Sequence, residues 1–254
     1  RRKMADLDVG GLMVTDADGV LLGVVTTRDV LLAPDPLAPV SSVMTPRERL
    51  VTAGEDESFE NARQTLFEHR IEKLPLVDPA GRVAGLITAQ DLRKIEEHPL
   101  ASKDKRGRLL VGVAVGVRPD DMERAAVCVE TGADVLVVDI AHGHSDHTLE
   151  MVAKLKRRFA VAVIAGNVAT PEGVRDLAEA GADGVKVGVG AGSICITRIV
   201  TGFGVPQLTA IAECAEEGHR LGVPIIADGG MRTSGDMVKA LAAGASTLMV
   251  GSML

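Results

Sequence analysis

The chain has no tryptophan and no tyrosine, and only four phenylalanines among 254 residues. Its cores must therefore be built from Val, Leu, Ile, Ala and Met. Cysteine is scarce as well. Cys128, Cys195 and Cys214 give no disulfide framework, so a reducing cytoplasm is the simplest setting. No apolar run approaches the roughly 20 residues that a membrane helix needs. Arg1-Arg-Lys is followed by acidic residues and not by an apolar core segment, so no signal peptide is indicated. Positive charge is also in deficit: net charge is −7, which argues against a general nucleic-acid surface.

Glycine, by contrast, is abundant, with 28 residues. Its densest use is Val187-Gly-Val-Gly-Ala-Gly-Ser-Ile-Cys-Ile-Thr-Arg198. A β-branched run ends in alternating Gly188, Gly190 and Gly192, and Cys195 and Thr197 follow. Alternating glycines let the backbone turn and approach a ligand closely. Turned carbonyls can face a cation and turned amides an anion. A cysteine beyond such a loop is a candidate nucleophile if its surroundings favour the thiolate. Cys128 and Cys214 fall in helical patterns and read as small buried hydrophobes.

Two stretches of the first hundred residues repeat each other. Val14–Asp29 aligns with Leu76–Asp91, an offset of 91 − 29 = 62 residues. Each copy reads as strand, Asp/Gly turn, strand and helix. Each ends in Thr-x-x-Asp, Thr26 to Asp29 and Thr88 to Asp91, which is an N-cap spacing. The second copy opens near Ser42-Val-Met-Thr-Pro46 and carries a further helix from Ser58 to His69. The first lacks that front half.

Ala101–Arg108 is a charged connector, and regular β/α alternation begins after it. Strands are expected at Leu109–Val115, Val135–Ala141, Val161–Val168, Gly184–Val189, Pro224–Ala227 and Thr247–Val250. Helices are expected at Pro119–Thr131, Thr148–Phe159, Pro171–Ala180, Gln207–Leu221 and Ser234–Ala243. Near-continuous apolar strands imply a parallel sheet buried on both faces. Polar and glycine-rich strand ends suit a TIM barrel, whose functional residues gather at the carboxyl ends of its strands. The expected division is 1–40 for a partial first module, 41–98 for a second and 99–254 for a partial barrel.

Strand ends also supply the other candidates. Asp228-Gly-Gly230 and Gly251-Ser252 close successive strands, where barrel enzymes often hold phosphate. Asp228 suits ribose hydroxyls. Gly229, Gly230, Gly251 and Ser252 suit phosphate, with Ser193 completing the group. Asp139 ends an apolar strand and is poor core filler. His142-Gly-His-Ser-Asp-His147 could supply metal ligands, but no second cluster accompanies it.

Gly190-Ala-Gly-Ser-Ile-Cys-Ile-Thr197, Gly202-Phe-Gly-Val-Pro-Gln207, Ala227-Asp-Gly-Gly230 and Gly251-Ser252 together resemble the IMP dehydrogenase/GMP reductase family. The repeated modules resemble paired CBS modules. The resemblance implies an α/β fold: a TIM (β/α)8 barrel with a tandem CBS domain inserted after its second strand, of which this sequence carries strands three to eight. Two sheet edges would then lie open, an aggregation hazard.

It also implies that Cys195 attacks C2 of the purine of IMP and that hydride passes to NAD. Water then hydrolyses the thioimidate to XMP, and Thr197 assists. NAD would lie on Asp139, Ile140, Ala141, Asn167, Gly188, Val189 and Gly190. Potassium would lie on the carbonyls of Gly190, Gly192 and Cys195, while the histidine run is not used for zinc in the family. The Thr-x-x-Asp aspartates could hold the ribose of an adenine or guanine nucleotide, and a homotetramer is expected. The family's second half-reaction uses a mobile flap with an Arg and a Tyr beyond the last matched strand. The sequence has no Tyr, so this polypeptide alone is expected not to complete turnover. Reductive deamination of GMP with NADPH is the rival activity, and a non-catalytic nucleotide sensor is a second rival. The tandem modules and the form of Ala227–Asp236 favour the dehydrogenase, and the intact Cys195–Thr197 pair argues against the sensor.

Overall fold

The computed structural model describes residues 1–35, 37–105 and 107–253. Arg106 of the expected connector and the terminal Leu254 lie outside the described residues. The chain divides into two compact units, Arg1–Ala101 and Ser102–Leu254.

The first unit runs α1 (Arg2–Asp6), β1 (Gly11–Thr15), β2 (Leu21–Thr26), α2 (Thr27–Leu32), α3 (Val40–Val43), β3 (Thr45–Pro46), β4 (Ala53–Gly54), α4 (Phe59–His69), β5 (Lys73–Val77), β6 (Val83–Thr88) and α5 (Ala89–Glu97). It contains two three-stranded sheets, β1-β2-β3 and β4-β5-β6. The sequence repeat is also a repeat of geometry. In each hairpin an aspartate opens the turn. Asp16 Oδ1 accepts from the amides of Asp18 and Val20, and Asp78 Oδ1 from those of Ala80 and Arg82. Each turn then needs a left-handed glycine, Gly19 at φ 81° and Gly81 at φ 79°. The two turns meet: the amide of Leu21 donates to the Gly81 carbonyl, and that of Val83 to the Gly19 carbonyl.

Both Thr-x-x-Asp motifs form full capping boxes at α2 and α5. Thr45–Pro46, where the second copy opens, pairs with β2 of the first. The second copy has its own small core, in which Ala62, Leu66, Leu74 and Ile87 are buried.

The second unit runs β7 (Gly112–Val115), α6 (Asp121–Glu130), β8 (Val135–Asp139), α7 (Asp146–Arg158), β9 (Ala162–Val168), α8 (Pro171–Glu179), β10 (Gly184–Val187), α9 (Thr197–Thr201), α10 (Gln207–Leu221), β11 (Ile225–Asp228), α11 (Ser234–Ala242) and β12 (Thr247–Met249). The sheet order is β12-β11-β10-β9-β8-β7, and every pairing is parallel. This is the incomplete barrel expected from the β/α alternation. Each expected strand and helix is present, with ends moved by up to a few residues. The loop of Lys103–Leu109 closes on itself through an antiparallel bridge and belongs to this unit. The five-residue helix α9 was not anticipated, since it lies inside the polar and glycine-rich stretch that follows the cysteine. Among the described residues β7 and β12 are each paired on one side only. No helix among them is long and apolar enough to cross a membrane.

Successive strand residues point to opposite faces. One parity, Leu136 and Val138, Val163 and Ala165, Val185 and Val187, Ile225 and Ala227, is buried in a common core with Val152, Leu155, Leu177 and Ile211 from the helices. Burying each of these larger side chains is worth about 1.5–3 kcal/mol. The other parity carries Asp139, Gly166, Lys186 and Asp228, and these build the site.

Candidate functional site

The centre of the strand-end face is a lysine. Lys186 sits in β10 at 1% exposure, and its Nζ donates to Asp139 Oδ1 at 2.9 Å and to Asp228 Oδ2. A buried ammonium requires such partners. Asn167, at the end of β9, donates from Nδ2 to the same Asp228 oxygen at 2.9 Å and to the Gly188 carbonyl at 2.7 Å. Gln207, the first residue of α10, donates from Nε2 to the carbonyls of Val187 at 3.0 Å and Asp228 at 3.1 Å. Four strand ends and one helix start are thereby tied together. Asn167 Oδ1 and Gln207 Oε1 are buried and accept nothing from the protein. Buried acceptors call for a donor. Asp139, whose side chain is 47% exposed, can accept from ligand hydroxyls, whereas the Asn167 oxygen is enclosed. Ile140 exchanges backbone bonds with Gly166 and Asn167, which fixes the loop that carries Ala141.

Neither Lys186 nor Gly166 was anticipated. The signals were present: a lysine inside an apolar strand run, and a glycine inside another strand. The register makes them partners, because Asp139 pairs with Gly166 and Gly166 with Lys186. A Cβ on Gly166 would lie 2.7 Å from that of Lys186.

The cysteine loop leaves β10 through Gly188 and Gly190, at φ 151° and 75°. Gly229 and Gly230 are also left-handed, and a Cβ on Gly229 would lie 2.8 Å from the Gly192 nitrogen. The loop after β11 can therefore lie flat against the cysteine loop. Between them opens a cleft of about 780 Å³, lined among others by Gly190, Ser193, Asp228, Gly230, Gly251 and Ser252. Ser193 Oγ donates to Ser252 Oγ at 3.3 Å. The structure thus brings together the residues expected to bind the nucleotide.

Cys195 is half-buried beside this cleft but does not line it. Its Sγ lies 3.3 Å from Thr197 Oγ1. The Thr197 hydroxyl, then its amide, the Gly190 amide and the Arg198 charge hold the thiol below its ordinary range, against partial burial. Cys214 is fully buried in α10, and burial with Glu213 and Glu172 nearby pushes it up to about 12. Cys128 departs from expectation: it is half-buried on α6, because that helix leaves part of its apolar side exposed, including Val127 at 59%.

The Gly192 carbonyl accepts the Cys195 amide at 3.1 Å. A carbonyl has a second lone pair, so the Gly192 oxygen can still accept. The histidine run does not converge. His144 Nε2 lies 2.6 Å from Asp176 Oδ2, while His142 and His147 are exposed. No group of three or more His, Cys, Asp or Glu side chains among the described residues could hold a metal.

A half-barrel that gathers a cysteine loop and a glycine-lined cleft at its strand ends has the arrangement of the TIM-barrel class. Comparison with known proteins narrows the class. Residues 85–254 match the model of the IMP dehydrogenase / GMP reductase domain, and residues 1–35 and 40–98 match that of the CBS domain. The chain belongs to the IMP dehydrogenase/GMP reductase family.

Over 250 residues it is 54% identical to an inosine-5'-monophosphate dehydrogenase of Nitrosopumilus maritimus, covering 98% of this chain and 52% of that protein. It is 53% identical to that of Aquifex aeolicus, covering 99% and 52%. The chain thus spans about half the length of these relatives. Among solved structures it is similar to GMP reductase from Trypanosoma brucei in complex with guanosine 5'-triphosphate. The TM-score is 0.87 and the identity 50%, covering 97% of this chain and 59% of that one.

Proposed function

We propose that this chain is part of an IMP dehydrogenase, which oxidises IMP to XMP through a covalent adduct on Cys195. The observation that carries the reading is the Cys195–Thr197 pair, held with a depressed thiol beside a cleft lined by Ser193, Asp228, Gly230, Gly251 and Ser252. Amides of Gly229, Gly230 and Gly251, with the hydroxyls of Ser193 and Ser252, bind the phosphate. Asp228 offers Oδ1 to the ribose, because Oδ2 is engaged by Lys186 and Asn167. The purine then reaches over the loop toward Cys195.

The Cys195 thiol gives up its proton toward the Thr197 hydroxyl, the thiolate forms a carbon–sulfur bond at C2, and the C2 hydrogen departs as hydride to the bound acceptor. Addition of water at C2 breaks the carbon–sulfur bond and releases XMP and the thiol. NAD, when bound, supplies the hydride acceptor; Asp139, Ile140, Ala141, Asn167, Gly188, Val189 and Gly190 are the residues that would hold it. Potassium on the carbonyls of Gly190, Gly192 and Cys195 would brace the loop. We further infer a cytoplasmic homotetramer whose CBS pair takes an adenine or guanine nucleotide. Asp29 and Asp91 each cap their helix through Oδ2, and Oδ1 remains for a ribose.

The similarity to GMP reductase supports a second reading, reductive deamination of GMP with NADPH through the same cysteine. An assay of the whole protein separates the two. NADH formed from IMP plus NAD is expected. NADPH consumed with GMP would assign the reductase, and silence in both would leave a nucleotide-sensing role for the CBS pair.

A further inference from the structure

We propose that Lys186 is a positioning residue that couples the ribose position at Asp228 to the dinucleotide position at Asp139. The inference rests on the proposed function of those two carboxylates. Lys186 is 1% exposed, yet its ammonium reaches acidic groups on both sides, Asp139 on β8 and Asp228 on β11. To reach Asp139 it must cross β9, which lies between. The crossing exists because Gly166 stands in register with both Asp139 and Lys186 and has no side chain. Any Cβ there would lie 2.5 Å from the Lys186 carbonyl.

The ammonium is withdrawn from solvent, while the side chains of Asp139 and Asp228 are 47% and 24% exposed. Ligand hydroxyls therefore meet the carboxylates and not the lysine. One cation serves two anions, so the group as a whole carries 1 − 2 = −1 formal charge. Each carboxylate is short of compensation that the other holds. A hydroxyl donating to Asp228 relieves part of its demand on Lys186, and the lysine then pairs more closely with Asp139. Occupancy of one position thereby orients the other, and the effect is reciprocal by thermodynamic linkage.

The test is calorimetric titration of the whole protein with IMP alone, NAD alone, and each in the presence of the other, together with thermal melts. Lys186→Met is expected to weaken both ligands at least tenfold, and Lys186→Arg to recover both to within threefold of the parent. Asp139→Asn is expected to weaken IMP at least threefold with no dinucleotide present. Loss of affinity for one ligand only in Lys186→Met, or unchanged IMP affinity in Asp139→Asn, would overturn the coupling. Should Lys186→Met not fold, Asp139→Asn alone decides. Parent protein that binds neither nucleotide would instead overturn the proposed function, and this inference with it.

Discussion

Lys186 and Cys195 belong to the same β/α unit, yet they are held by opposite means. The lysine is buried in a strand, and side chains from β8, β9, β11 and α10 lock its surroundings. The cysteine stands on a loop held by backbone turns, beside Ile194 at 93% and Ile196 at 63% exposure. On the proposed function, the sheet supplies a preorganised binding frame, and the loop supplies a reactive group whose chemistry is set by near neighbours. Rigid elements position ligands accurately, while loops carry chemistry that needs access.

The difference should appear first in stability. Gly166→Ala pushes a methyl against Lys186 backbone and Cβ, neither of which can swing aside. Overpacking of this kind is expected to cost about 2–3 kcal/mol, measured by urea unfolding. A loss below about 0.5 kcal/mol would show that the strand crossing is not tight, and the contrast would weaken. Asp228→Ala should come next. It should weaken IMP more than about tenfold, since a hydrogen bond to a charged group is worth about 1.5–3 kcal/mol. Cys195 should still react with iodoacetamide. Unchanged affinity would remove Asp228 from the ribose role.

Cys195→Ala should act in the reverse sense. Stability should move by no more than about 0.5 kcal/mol, as for a site away from packed core. Labelling of the peptide that contains position 195 and any nucleotide adduct on it should vanish, read by peptide mass spectrometry. Retained adduct would break the assignment. The smallest effect is expected from Thr197→Val. Removing the hydroxyl removes the leading cause of the depressed thiol. The pH profile of Cys195 alkylation should move to higher pH, and the rate at neutral pH should fall several-fold. Cys214, pushed up to about 12, should stay unlabelled in the folded protein at either pH. A profile that does not move would assign the depression to the amides of Thr197 and Gly190 and to Arg198 instead.

The frame and the loop were also unequally legible. The barrel strands show as apolar runs and the cysteine loop as alternating glycines, because both patterns are local. The repeat of the first unit was legible down to its caps, since Thr26 and Thr88 act on residues only three positions away. Lys186 and Gly166 were missed because their meaning depends on register between strands. Only when β8, β9 and β10 align does the glycine become a passage for the lysine. The partial exposure of Cys128 was missed for a similar reason, as helical periodicity does not say how much of an apolar side its neighbours cover.

The central claim is that nucleotide bound on the strand ends is attacked by Cys195. The most direct measurement mixes the whole protein with IMP and NAD, quenches in acid and weighs the peptide that contains Cys195. The account predicts a nucleotide mass on that peptide, lost in Cys195→Ala and absent without NAD. Protein that binds both ligands yet leaves Cys195 unmodified would contradict it.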